Sequence, residues 1–92
     1  MTRLKFEDVG DKDKDIWRLS FVIHAFDGTK HFPCYVPYHH IDDYHKLSGK
    51  QNEREYSFKS NLDFWKECCQ RAYDNHGLES DGCLIVRYED TE

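Results

Sequence analysis

The chain has 92 residues, of which 38% are hydrophobic, 15% aromatic and 34% charged, and its formal net charge at pH 7 is −5. This length predicts a single domain, residues 1–92, whose folding buries only about 60% of the surface of the unfolded chain. A domain of this size leaves little room for a deep catalytic pocket, and its acidic balance argues against general affinity for nucleic acid.

The first half of the chain predicts three strands. Alternating apolar residues in TRLKFEDV indicate a short strand, and the charged stretch GDKDKD indicates a turn. In DIWRLSFVIHAF, every second residue from Trp17 through Leu19 to Ala25 is apolar, so these residues share one face of a strand. DGTK predicts a hairpin turn into an antiparallel strand, HFPCYV, in which Pro33 indicates an edge or bulged position.

The second half predicts a helix between two strands. REYSFKS predicts a short strand, and DGCLIVRYED predicts a closing one. SNLDFWKECCQRAYDNHG predicts the main helix, with Ser60 and Asp63 forming a capping box and Gly77 at the left-handed end position. The order predicts an α+β fold: a small antiparallel β-sheet of three to five strands, with one main C-terminal α-helix packed on one face and a second short helix.

The second short helix falls on PYHHIDDYHKLSG, residues 37–49, where histidine, aspartate and tyrosine are concentrated. Three interpretations stay open: a solvated amphipathic helix, a recognition surface, or a metal site. His39 with Asp42 or Asp43 supplies two zinc ligands at helical spacing, but no spacing motif marks a third. We therefore expect no bound metal and no cofactor.

The four cysteines, Cys34, Cys68, Cys69 and Cys83, form no C-x-x-C motif. We expect them to be reduced and buried as small apolar side chains. The charged N-terminus predicts no signal peptide and no run is apolar enough to span a membrane, so we expect a cytoplasmic protein without a membrane partner. No nucleophile elbow, P-loop or dinucleotide fingerprint is present, so we expect neither an enzyme nor a small-molecule substrate. A small catalytic or His/Asp metal-binding protein remains the alternative.

Charge is unevenly placed along the chain. Residues 61–92 carry the whole net charge of −5, whereas the first sixty residues are balanced. Between residues 44 and 59, basic side chains alternate with aromatic ones, which is how proteins hold single-stranded nucleic acid. The alternative for that segment is an exposed surface of mixed charge, because Glu53 and Glu55 lie within it.

The whole-chain layout resembles the small phage-encoded anti-CRISPR proteins that block type I-F CRISPR surveillance complexes. The parts that carry this resemblance are the charged start MTRLKFEDVGDKDKD, the hairpin FVIHAFDGTKHFPCYV, the helix SNLDFWKECCQRAYDNHG and the acidic end RYEDTE. It implies a non-catalytic inhibitor in the cytosol of a bacterial host, which binds the guide-RNA-loaded complex and stops its hybridisation to target DNA. Because the first sixty residues are balanced in charge, we expect surface occlusion with guide-RNA contact rather than DNA mimicry. The alternative is a small interaction or adaptor domain with another partner.

Two surfaces are candidates for recognition. The first consists of polar, basic and aromatic residues in the middle of the chain: Tyr38, His39, His40, Tyr44, Lys46, Lys50, Arg54 and Lys59. The second is an acidic patch suited to basic grooves: Glu79, Asp81, Glu89, Asp90 and Glu92. Arginine and tyrosine are common interface anchors, and acidic patches guide association with basic partners.

Overall fold

The computed structural model describes residues 2–10 and 12–92. In chain order, the strands are β1 (Lys5–Phe6), β2 (Lys14–Asp15), β3 (Ser20–Phe26), β4 (His31–Pro37) and β5 (Leu84–Ile85). The helices are α1 (Tyr38–His45), α2 (Gln51–Ser60) and α3 (Leu62–Asn75), followed by a short 3₁₀ helix (Tyr88–Thr91). The predicted α+β class is confirmed.

The sheet is built on the hairpin of β3 and β4, which pair along their full length from Ser20 opposite Pro37 to Phe26 opposite His31. The strand order is β1-β3-β4-β5, and β2 also pairs with β3. β5 runs parallel to β4, so the prediction of a wholly antiparallel sheet is wrong at this edge. Three helices separate β4 from β5, and a long crossover of this kind is what allows two strands to pair in parallel.

The predicted hairpin turn is confirmed. The Oδ1 atom of Asp27 accepts hydrogen bonds from the main-chain N–H groups of Thr29 and Lys30, each at 2.9 Å. Gly28 has a φ of +97°, a conformation that glycine adopts without strain. This short-range chemistry explains why the Asp-Gly pair was sufficient to place the turn.

The prediction of an edge position for β4 is wrong, because β4 lies between β3 and β5. β5 pairs only with Cys34 and Tyr35, so Pro33 lies just outside that two-residue pairing. A proline without an N–H group is therefore accommodated in a central strand.

The segment REYSFKS belongs to α2, and the prediction of a strand there is wrong. Tyr56 and Phe58 alternate as strand residues do, but only Phe58 is buried, and its ring stacks on that of Phe21 with centroids 4.3 Å apart. An ion pair of 2.5 Å between Lys14 and Glu55 ties β2 to the same helix. Packing on the sheet therefore stabilises α2, whose own sequence has little amphipathic character.

The main helix begins later than predicted. Ser60 is the last residue of α2, and Asn61 precedes α3 without a side-chain capping bond, so the Ser60–Asp63 capping box is wrong. The end of the helix is confirmed: Gly77 has a φ of +72°, and its N–H group donates to the carbonyl oxygen of Ala72 at 3.1 Å.

The core lies between one face of the sheet and the helices. The main helix contributes an apolar stripe of helical period, on which Trp65, Cys69 and Ala72 are fully buried. They share a cluster with residues of α1, α2 and the inner sheet face, among them Phe21, Ile23, Cys34, Ile41, Phe58 and Leu84. The buried side chain of Gln70 joins the N-terminal segment to α3, because its Oε1 atom accepts from the N–H group of Leu4 at 2.8 Å. Among residues 2–10 and 12–92, no helix has the length and apolar character needed to cross a lipid bilayer.

Candidate functional site

A pocket of about 300 Å³ lies between α1 and the 3₁₀ helix. Its lining consists of His40, Asp43, Tyr44, Tyr88, Thr91 and Glu92. Two of these residues belong to the first predicted surface and one to the acidic patch, so the fold brings members of both candidate surfaces together. We call this cavity the α1–3₁₀ pocket.

The aromatic walls of the α1–3₁₀ pocket are accessible from solvent. Tyr44 is half exposed, and its ring stacks on Phe64 of α3 with centroids 4.4 Å apart. Tyr88 begins the 3₁₀ helix and is 62% exposed. Exposed tyrosines that are held in place by neighbouring groups are typical recognition residues, because they provide contact area at low entropic cost.

The 3₁₀ helix is held by a buried carboxylate, that of Asp90. Its Oδ2 atom accepts from the main-chain N–H group of Arg87 at 2.9 Å and lies 3.0 Å from Nε2 of His76. Its Oδ1 atom accepts from the amide of Asn75 at 2.9 Å. Burial raises the pKa of Asp90, but these hydrogen bonds outweigh burial and hold the pKa below the usual carboxylate value.

The orientation of His76 completes this anchor. Nδ1 of its ring lies 3.1 Å from the carbonyl oxygen of Gly77, while Nε2 faces Asp90, so both ring nitrogens face acceptors. Arg71 adds a further link, because its Nη1 atom donates to the main-chain oxygen of Glu92 at 2.9 Å. The end of the chain is therefore docked on α3 by charged groups.

Two members of the first predicted surface are structural. Tyr38 is buried, and its ring packs edge-on against Phe21 with centroids 4.9 Å apart, so the expectation that it is exposed is wrong. Arg54 lies with its Cζ atom 4.6 Å from the centroid of the Tyr38 ring. Its Nε and Nη2 atoms donate to the carboxylate of Asp42 at 2.9 and 2.7 Å, which joins α2 to α1.

The remaining members of that surface do not form one continuous patch. His39 is exposed, and Lys46 and Lys50 flank the loop between α1 and α2. Lys50 immediately precedes α2, whereas Lys59 lies in the last turn of that ten-residue helix. The basic residues predicted to contact nucleic acid are therefore spread along the length of α2.

The acidic patch is also divided. Glu79 pairs with Arg87 at 3.3 Å, and Asp81 pairs with Arg18 at 3.2 Å. Asp90 is fully buried, so its assignment to an exposed patch is wrong. Asp81 is exposed beside Arg18, whereas the other two exposed members, Glu89 and Glu92, belong to the α1–3₁₀ pocket end of the molecule.

An exposed apolar tip, residues Ile16–Leu19 between β2 and β3, was not foreseen. Trp17 is 92% exposed, and Ile16 and Leu19 are 66% and 63% exposed. The alternation through Trp17 and Leu19 predicted strand residues, but β3 begins only at Ser20. The carboxylate of Asp15 accepts from the N–H groups of Trp17 and Arg18 at 3.0 and 3.2 Å, and this turn carries the apolar side chains away from the core.

Shallow cavities flank this tip on the outer face of the sheet. One, of about 450 Å³, is lined by Trp17, Val22, Tyr35 and neighbouring residues of β2 and β4. Another, of about 340 Å³, is lined by Leu19, Tyr35, Ile85 and others. Arg18 lies over the ring of Tyr35, which lines both cavities. The tip and the outer face thus combine apolar and aromatic side chains with the charged residues of β2 and its surroundings.

The thiols are placed for packing. All four cysteines are free and buried, as expected from the sequence. Burial raises the pKa of Cys68 to about 12 and also raises that of Cys34, so neither thiol is a nucleophile at neutral pH. Within the described residues, no group of three or more His, Cys, Asp or Glu side chains is arranged to hold a metal ion.

Comparisons of the chain with models of known protein families, with curated proteins and with solved structures find no match.

Proposed function

We propose that this protein is a non-catalytic binding domain that acts by covering a surface of a partner protein. The observation that carries the proposal is the tip Ile16–Leu19, on which Trp17 is almost fully exposed. A tryptophan at this exposure leaves a large apolar area in contact with water, and such areas are typical of protein interaction sites. Tryptophan is also among the residues most enriched at the centres of interfaces.

The resemblance to type I-F anti-CRISPR proteins names the partner in this proposal: the guide-RNA-loaded surveillance complex. An inhibitor of this kind needs a complementary surface of about 800 Å² and no active site. The aromatic tip and the outer face of the sheet are available for that purpose, and the exposed Lys46 and Lys50 are available for contact with guide RNA. Burial raises the pKa of the Cys34 and Cys68 thiols, which suits a role in packing rather than as nucleophiles.

The experiment mixes the purified protein with a guide-loaded type I-F complex, follows co-migration by size exclusion and then adds target DNA. We expect co-migration and loss of DNA binding. Trp17→Ala is expected to weaken the association by about 2 kcal/mol or more, about thirtyfold. Tyr56→Ala, which removes a 75% exposed aromatic side chain from α2, is the matched control and is expected to bind like the wild type.

Two results would count against the proposal. Absence of co-migration with the wild-type protein would exclude the type I-F complex as the partner. Equal weakening by Trp17→Ala and Tyr56→Ala would show that the tip is not the contact surface. Circular dichroism of both variants provides the control for folding, since neither side chain lies in the core.

A further inference from the structure

A tyrosine ring and a carboxylate together hold an arginine at the α1–α2 contact. The guanidinium of Arg54 lies 4.6 Å from the centroid of Tyr38 and donates two hydrogen bonds to Asp42. The flat guanidinium satisfies both partners at once, since it stacks on a ring with its face and donates through its edge.

The same combination recurs on the outer face of the sheet. The Cζ atom of Arg18 lies 4.4 Å from the centroid of Tyr35, and its Nη2 atom donates to Asp81 at 3.2 Å. In both places the tyrosine, the carboxylate and the arginine belong to this chain. The fold therefore uses one recognition arrangement twice, and each time the arginine is present.

The α1–3₁₀ pocket contains the same parts without an arginine. Tyr44 and Tyr88 provide two rings, Asp43 and Glu92 provide two carboxylates, and none of the described residues that line it is a lysine or an arginine. Among the described residues, neither of these two side-chain carboxylates accepts a hydrogen bond or forms an ion pair with a lysine or arginine. Its volume of about 300 Å³ is at the small end of the range for ligand sites, which suits a single side chain.

The one basic group in the lining does not fill the role of the cation at neutral pH. Burial lowers the pKa of His40, and the neighbouring His39 lowers it further, against the opposing effects of Asp43, Asp90 and the main chain of Val86. The histidine is therefore neutral at pH 7, and the lining carries the negative charge of its two carboxylates.

The walls of the pocket are positioned by contacts within the fold. Asp90 and Arg71 dock the 3₁₀ helix on α3, and the stack of Tyr44 on Phe64 positions the opposite wall. A site whose walls are already in place loses less conformational entropy on binding.

We propose that the α1–3₁₀ pocket binds the guanidinium group of an arginine side chain presented by a partner protein. The guanidinium stacks against the tyrosines and donates to the carboxylates of Asp43 and Glu92. No described residue of the tip Ile16–Leu19 is among those that line the pocket, so the proposal does not depend on the identity of the partner that the tip binds.

The test titrates the ¹⁵N-labelled protein with N-acetyl-arginine amide and follows amide chemical shifts by NMR. We expect saturable shifts at residues that line the pocket, with a dissociation constant on the order of 1 mM. N-acetyl-citrulline amide has the same shape without the charge and is expected to bind at least about fivefold more weakly. Tetramethylammonium, a cation without N–H donors, is also expected to bind more weakly than the arginine probe, which distinguishes guanidinium recognition from general attraction of cations.

Matched variants locate the site. Tyr88→Ala and Glu92→Gln are each expected to weaken arginine binding by about fivefold. The controls Tyr56→Ala and Glu89→Gln remove the same groups from exposed positions outside the lining, and they are expected to leave arginine binding unchanged. Equal binding of the arginine and citrulline probes, equal effects of site and control variants, or the absence of saturable shifts at the pocket would each overturn the proposal. All four substitutions are at exposed side chains, so the variants are expected to fold.

Discussion

Removal of the Asp90 carboxylate is expected to be the most damaging change of charge in the molecule. The side chain is fully buried and accepts from three groups: the N–H group of Arg87, the amide of Asn75 and the ring of His76. Hydrogen bonds to a charged group contribute about 1.5–3 kcal/mol each but do not add, and loss of the carboxylate also leaves its buried donors without an acceptor. We expect Asp90→Ala to lower the free energy of unfolding by about 3–4 kcal/mol, which would lower Tm by at least about 12 °C in a domain of this size.

Two variants make the origin of this loss measurable by urea denaturation. Asp90→Asn retains the shape, and the Asn75 amide can turn its oxygen toward the new NH₂ group, so we expect a smaller loss of about 1–2 kcal/mol. Glu89→Ala removes an exposed carboxylate from the same 3₁₀ helix and is expected to change stability by less than about 0.5 kcal/mol.

The stabilisation by Asp90 is also expected to depend on pH. Its pKa in the folded protein lies below that of the unfolded chain, about 3.9. The charged interaction is therefore complete above that unfolded value and is lost as pH falls through the lower folded-state pKa. The difference in unfolding free energy between wild type and Asp90→Ala should shrink from pH 7 to about pH 2.5. A difference below about 1 kcal/mol at pH 7, or one that stays constant with pH, would refute this account of the anchor.

Three further predictions follow from single contacts. Arg54→Ala should lower the free energy of unfolding, measured in urea, by about 1–3 kcal/mol, because it leaves the carboxylate of Asp42 without its bidentate donor. Arg54→Lys should recover part of the loss, and equal stability of the wild type and both variants would contradict the pairing. Gly77→Ala should lower the free energy of unfolding, measured by thermal denaturation, by about 1–2 kcal/mol, because the φ of Gly77 is +72°. The control Gly10→Ala should change it by less than about 0.5 kcal/mol, and equal losses in the two variants would argue against backbone strain at Gly77. Binding of N-acetyl-arginine amide should weaken by about fivefold as pH falls from 7 through the lowered pKa of His40, since the imidazolium is a competing cation in the pocket and costs about 1 kcal/mol. Binding that stays constant while the NMR shifts of His40 report its protonation would exclude that competition.

The regular parts of the fold were predictable because their signals are local. The β3–β4 hairpin combines alternation of period two with the Asp27–Gly28 turn, and α3 combines an apolar stripe of helical period with Gly77 at its end. These patterns depend on residues that are neighbours in the chain. Strand and helix geometry then determine which side chains share a face.

Where the predictions were wrong, local alternation was misleading. Tyr56 and Phe58 alternate like strand residues, yet α2 forms because Phe58 packs on Phe21 of the sheet. Trp17 and Leu19 continue the alternation of β3, yet the turn made by Asp15 places them in solvent. The strand preference of a short alternating segment is weak, so tertiary packing overrides it.

The candidate site depends on contacts between distant parts of the chain. His40 and Glu92 line one pocket because the 3₁₀ helix docks on α3 through Asp90 and Arg71, and nothing near Asp90 in the sequence marks it as buried. Composition and periodicity were enough for the α+β class, the central hairpin and the main helix, because each is a property of a short segment. The assembled fold determines which elements cover a given side chain. It therefore decides whether Trp17 lies in the core or at the surface, and whether Asp90 is an exposed charge or a buried anchor.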